Sequence, residues 1–140
     1  RSLFSMAKVT AENLFIAKRL GIDFEASELK LDKWGNVDFY CQTGNLMILL
    51  EVEKGQKHPC TNVIKVWPYL EENPELKIFL IQIVRQENKA PKNRIALCKY
   101  MGKKMESEFP NRFKYLFRNW HDDLIDDIRS TVAEKLTELT

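Results

Sequence analysis

The segment Leu46-Met47-Ile48-Leu49-Leu50-Glu51-Val52-Glu53 constrains the fold of this 140-residue chain more than any other. Its first five side chains are apolar without interruption, so neither a half-solvated strand nor a surface helix accommodates it. Turn formers bound it on both sides, Thr43-Gly44-Asn45 before and Lys54-Gly55-Gln56 after. Such a run reads as a strand covered on both faces in the middle of a sheet. A second run, LKIFLIQIV at residues 76–84, reads the same way. Between them, residues 58–72 carry Val63, Ile64, Val66, Trp67 and Leu70 at helical spacing, which makes a βαβ crossover. Pro68 predicts a kink there, or a helix that restarts at that point.

The remaining elements arrange themselves around this unit. Residues 9–20 form an amphipathic helix with Leu14, Phe15, Ala17 and Leu20 inside, Thr10 as cap and Gly21 as stop. Residues 27–32 and 36–43 read as two strands joined by a hairpin turn, Lys33-Trp34-Gly35, in which Gly35 is free to take positive φ. After Pro91, residues 93–108 form a basic helix with Ile95, Leu97, Cys98, Met101 and Met105 as inner positions. Residues 112–117 alternate Phe113, Tyr115 and Phe117 with Arg112, Lys114 and Leu116, as a short edge strand does, and the aromatic side is expected to pack on the last helix. That helix spans residues 122–139, with acids crowding its first turns where the dipole favours them. The expectation is one domain over residues 1–140, an α/β fold with a mixed central sheet flanked by helices. Residues 9–84 form its core, and the basic helix, edge strand and last helix follow in 85–140.

Composition limits the function classes. An apolar fraction of 44% with 30% charged residues is a globular balance. No apolar run approaches the roughly 20 residues that cross a bilayer. Cys41, Cys60 and Cys98 are odd in number and widely spaced, so neither a disulfide framework nor a zinc site is indicated, and buried thiols of a reducing compartment suggest the cytoplasm. Charge is uneven. Residues 85–118 hold ten basic residues against three acidic ones, the electrostatic footprint of a polyanion or else a solvated helix face. Lys92, Arg94, Lys99, Lys103, Arg112 and Lys114 are the candidate nucleic-acid contacts.

The chemistry concentrates at the end of the first buried run. Side chains at i and i+2 of a strand share a face, so Glu51 and Glu53 point the same way. Two carboxylates side by side on a buried strand repel and are costly to desolvate, a difficulty that a divalent cation removes. Asp38, on the preceding strand, is placed beside Glu51. Convergent carboxylate oxygens suit Mg²⁺ or Mn²⁺, which can polarise a phosphodiester and acidify a bound water. The competing reading has the strand end emerging into solvent, with both acids paired to Lys54 or Lys57.

Asp38, a short hairpin, and then Glu51 two residues before Glu53 on a central strand together resemble the PD-(D/E)XK nuclease superfamily, in its Glu-x-Glu variant. The resemblance covers residues 9–84 and implies a restriction-endonuclease-like fold, with the order α-β-β-β-α-β. It implies a Mg²⁺- or Mn²⁺-dependent nuclease acting on DNA, with Asp38 and Glu51 as metal ligands. The family commonly has Lys where this chain has Glu53, so Glu53 takes the role of ligand or general base. Lys54 points to the opposite strand face, and Lys65 on the following helix is the candidate for a relocated catalytic lysine. Glu12 on the first helix fits a further, helix-borne metal ligand, and Gln56 a contact to water or phosphate. Many small nucleases of that fold cut both strands as homodimers, an expectation with no residue pattern of its own here. The alternative is a catalytically silent domain of the same fold that binds nucleic acid or a protein partner. His58 and His121 lack partners at catalytic spacing and read as ordinary polar residues, and no glycine-rich phosphate loop is present.

Overall fold

The computed structural model describes residues 11–25, 27–55 and 57–140. Its centre is a four-stranded mixed sheet in the order β3-β4-β5-β6, formed by Phe39–Thr43, Leu46–Glu53, Lys77–Val84 and Phe113–Asn119. β3 runs antiparallel to β4, whereas β4, β5 and β6 are parallel. The parallel β4–β5 pair is the crossover read from the two apolar runs. β1 (Leu29–Lys30) and β2 (Asn36–Val37) form a separate two-stranded sheet, joined by a 3-10 turn at Asp32–Trp34. Gly35, at the end of that turn, has φ 133°, the positive value expected of it.

Helices cover both faces, and strand periodicity decides which residues meet which helix. Ile48, Leu50 and Val52 of β4 join Phe79, Ile81, Ile83 and Leu116 on one face, under α1 (Ala11–Arg19) and α5 (Ile125–Leu139). Met47 and Leu49 join Ile78, Leu80, Phe113 and Tyr115 on the other. That second face lies under α2 (Thr61–Ile64), α3 (Val66–Glu72) and α4 (Lys92–Glu108). Glu51 and Glu53, two and four residues beyond Leu49, continue the second face.

Several expectations are corrected. The strand over residues 36–43 is broken at Asp38. Val37 enters the core of the second face and Phe39 that of the first, which an unbroken strand with its two-residue period forbids. In α1 the buried stripe is Ile16, Ala17 and Leu20, while Leu14 and Phe15 are exposed and Arg19 lies over the Phe15 ring. The crossover helix breaks at Lys65 and restarts at Val66, two residues ahead of Pro68. Pro68 is then the third residue of α3, where an N–H has no intrahelical acceptor to lose. In α4, Leu97 is exposed, and Cys98, Gly102 and Met105 form the inner side. Phe113 and Tyr115 belong to the core beneath α4, and it is Leu116 that shares a core with α5.

Candidate active site

Glu51 and Glu53 lie at the C-terminal end of β4, and both are buried, with Glu53 at 0% exposure. The reading in which they emerge into solvent is therefore set aside, and Lys54 and Lys57 are not their partners. The partner is Lys65, at the break between α2 and α3. Its Nζ lies 2.8 Å from Glu51 Oε1 and also donates to the Asn36 carbonyl at 2.7 Å and Asn62 Oδ1 at 2.9 Å. Three acceptors use all three ammonium donors. Asn62, one helical turn before Lys65, donates from Nδ2 to Glu53 Oε1 at 2.7 Å.

A second line of hydrogen bonds reaches Glu53 from β5. Gln82 stands opposite Glu51 in the parallel register and is completely buried. Its Nε2 donates to Glu53 Oε1 at 3.2 Å and to the Pro59 carbonyl at 3.0 Å. Tyr115 Oη donates in turn to Gln82 Oε1. Glu53 Oε1 thus takes two amide donors, while Glu53 Oε2 is buried without a hydrogen-bond partner.

The electrostatics follow from this burial. Desolvation pushes the Glu51 carboxyl up to about 8, with Glu53 and Asp38 adding repulsion, although the Lys65 ammonium pulls the other way. Glu53 is raised for the same first reason, opposed by its hydrogen bonds from Asn62 and Gln82. The negative charge of Asp38 raises both glutamates, so the break in the strand brings the third acid within electrostatic reach of them. The neighbouring Cys98 thiol is pushed up to about 12 by burial and is no nucleophile at neutral pH.

An orphaned, buried carboxylate oxygen beside a second carboxylate is a donor set of the kind a hard divalent cation takes. Carboxylates such as those of Asp38, Glu51 and Glu53 are oxygen donors of the type Mg²⁺ and Mn²⁺ prefer. As the side chains stand, with Glu51 held by Lys65, no three His, Cys, Asp or Glu among the described residues are grouped closely enough to enclose an ion.

The other residues singled out from the sequence fall elsewhere. Glu12 sits on α1, which packs on the opposite face of the sheet, and its carboxylate is ion-paired with Arg85. It is removed from the metal set, because a helix position says nothing about which sheet face the helix covers. Gln56 lies outside the described residues. Arg112 donates to the Leu70, Asn73 and Leu76 carbonyls at 2.9, 2.9 and 3.1 Å, tying the end of α3 to β5 and β6. Lys114 pairs with Glu138 at 2.9 Å. Arg94 donates to the Lys57 carbonyl at 2.8 Å, and Lys92 is exposed at the start of α4. Lys99 and Lys103 line an open groove of about 650 Å³ with Phe117, Arg118 and Lys135. Lys99 lies 4.7 Å over the Phe117 ring.

Three members of the buried network, Asn62, Gln82 and Tyr115, were not among the residues singled out. Gln82 carried a signal, as the lone polar residue in the seven-residue stretch IFLIQIV. Asn62 carried a weaker one, three positions before Lys65 and so on the same helical face. Nothing in the sequence links Tyr115 to Glu53.

No family model, curated protein or solved structure matches this chain. The fold and the site therefore stand on their own geometry. No helix among the described residues is long and apolar enough to cross a membrane.

Proposed function

We propose that the chain is a divalent-cation-dependent nuclease that hydrolyses phosphodiester bonds in DNA at the site formed by Asp38, Glu51, Glu53 and Lys65. The observation that carries this reading is the part-buried chain Glu51–Lys65–Asn62–Glu53, which ends at a carboxylate whose other oxygen is buried with no partner. A buried Lys–Glu contact contributes little net stability, and an unsatisfied buried oxygen subtracts from it. Perturbed carboxyl groups in such a setting point to chemistry.

In this reading Asp38 and Glu51, with Glu53 as a further ligand or instead as the base, would hold Mg²⁺ or Mn²⁺, which when bound polarises the phosphoryl oxygen and lowers the pKa of water. Glu53 Oε2 takes the proton of the attacking water, and Lys65 holds Glu51 in place while its positive charge offsets the charge gathering on the phosphoryl group. The P–O3′ bond breaks in line with the attack and the leaving 3′-oxygen takes a proton from solvent, giving a 3′-hydroxyl and, by analogy with the PD-(D/E)XK nucleases, a 5′-phosphate. Lys99 and Lys103, in the groove beside β6, contact the phosphate backbone.

The second reading is a silent domain of the same architecture that binds nucleic acid or protein. It is favoured by Lys65 having all three donors satisfied within the protein and by the absence of a closed ligand set among the described residues. Incubation with a pool of plasmid and oligonucleotides in Mg²⁺, Mn²⁺ or EDTA separates the two. The nuclease reading predicts cleavage with either ion and none in EDTA. Intact substrate in all three, with no change of melting temperature in millimolar metal, supports the silent domain.

A further inference from the structure

Glu53 is held by residues that leave one of its oxygens out. Asn62 Oδ1 accepts from the Lys65 ammonium, so the Asn62 amide nitrogen has to face Glu53. The Gln82 amide nitrogen donates both to Glu53 Oε1 and to the Pro59 carbonyl, and a carbonyl can only accept. Its oxygen therefore faces Tyr115, whose hydroxyl donates to it. Two relays, Lys65 to Asn62 and Tyr115 to Gln82, converge on the same oxygen of the same carboxylate. A network built only to fasten a buried glutamate would divide its donors between both oxygens, because an orphaned oxygen in the core is destabilising.

We propose that Asn62 and Gln82, which occupy Glu53 Oε1, and Tyr115, which fixes the Gln82 amide, are positioning residues that leave Oε2 as the single working oxygen of Glu53, a one-oxygen ligand or base. This inference rests on the nuclease reading. Hydrogen-bonded partners behind a ligand set its orientation and are worth about 10- to 100-fold in metal affinity or activity. A carboxylate free to rotate would present either oxygen, at variable distance from the reacting atoms.

Two substitutions test it. Gln82→Met keeps the volume of the side chain and removes both donors. Tyr115→Phe keeps the ring and removes only the hydroxyl whose proton fixes the sense of the Gln82 amide. In the metal-free wild type the Gln82 side-chain NH₂ should show two distinct, slowly exchanging proton resonances, and in Tyr115→Phe these should exchange faster. Mn²⁺ affinity, followed by electron paramagnetic resonance, should fall roughly 10- to 100-fold in both variants. Their kcat for DNA should fall by a comparable factor, with KM little changed. If Gln82→Met does not fold, Tyr115→Phe decides, since it leaves the packing in place. Folded variants that bind Mn²⁺ and cleave like the wild type would overturn the positioning role and leave the nuclease reading standing. A wild type that neither binds Mn²⁺ nor cleaves would remove both.

Discussion

The raised Glu51 carboxyl makes a prediction about stability that requires no substrate. In the absence of divalent ions this group keeps its proton in the folded chain up to about pH 8, against an ordinary value of 4.5. Between those values the folded state binds a proton that the unfolded state has released, so stability falls as pH rises through the window. The full effect is present below about pH 4.5 and is lost above about pH 8. A displacement from 4.5 to about 8, at about 1.4 kcal/mol per pH unit, amounts to about 5 kcal/mol. For a chain of this length that corresponds to a melting temperature lower by roughly 10–20 °C at pH 8 than at pH 5. Glu53, raised by the same burial, acts in the same direction. The assay is urea or thermal unfolding in EDTA across pH 5 to 9, for wild type and Glu51→Gln. The variant should lose most of the slope, match the wild type near pH 5 and exceed it at pH 8. Millimolar Mg²⁺ should stabilise the wild type more at pH 8 than at pH 6, because ligand carboxyls must give up their protons to bind it. Wild-type stability that is flat or rises from pH 5 to 8 in EDTA, or a Glu51→Gln variant with the full slope, would refute the assignment of a buried, proton-holding Glu51.

Gly102→Ala should destabilise the chain by about 2 kcal/mol despite the roughly 1 kcal/mol gained in helix propensity, because the new Cβ would stand 2.2 Å from the Tyr115 ring; a raised melting temperature would show that the ring gives way freely. Arg112→Met should lower stability by about 2–4 kcal/mol, since three carbonyls lose their charged donor, while the folded variant keeps its nucleic-acid affinity. Weaker binding at unchanged stability would return Arg112 to the contact surface. Lys99→Glu and Lys103→Glu should weaken nucleic-acid binding uniformly across sequences, and Lys99→Ala should reduce the salt dependence by about one unit of slope. Binding indifferent to ionic strength would exclude the groove.

The βαβ unit was legible in the sequence because its apolar runs have lengths and flanks that suit only covered strands. The two-residue period then put Glu51 and Glu53 on one face without any knowledge of the rest. Lys65 was singled out through the family resemblance, as a relocated lysine on the crossover helix, and it does meet Glu51. What sequence left open was decided by contacts between distant segments. In α1 the stripes through Leu14 and through Ile16 both include Ala17, and only the docking of Ile16 and Leu20 on the sheet selects between them. Glu12, offered only through the family resemblance, lies on that same helix and pairs with Arg85. Arg112 and Lys114 counted as surface charge in a local tally, yet their acceptors lie 24 to 42 residues away. The break at Asp38 likewise comes from β2 pairing with β1 while β3 pairs with β4, and no residue in 36–43 announces it.

The most direct test of the site is the rate at which Glu53→Ala nicks supercoiled plasmid in Mn²⁺, measured beside wild type and Lys65→Ala under identical conditions. The account predicts cutting by the wild type, a rate about 10²- to 10³-fold lower for Lys65→Ala, and none by a folded Glu53→Ala. A Glu53→Ala protein that nicks as fast as wild type would contradict it, whatever activity the chain proves to have.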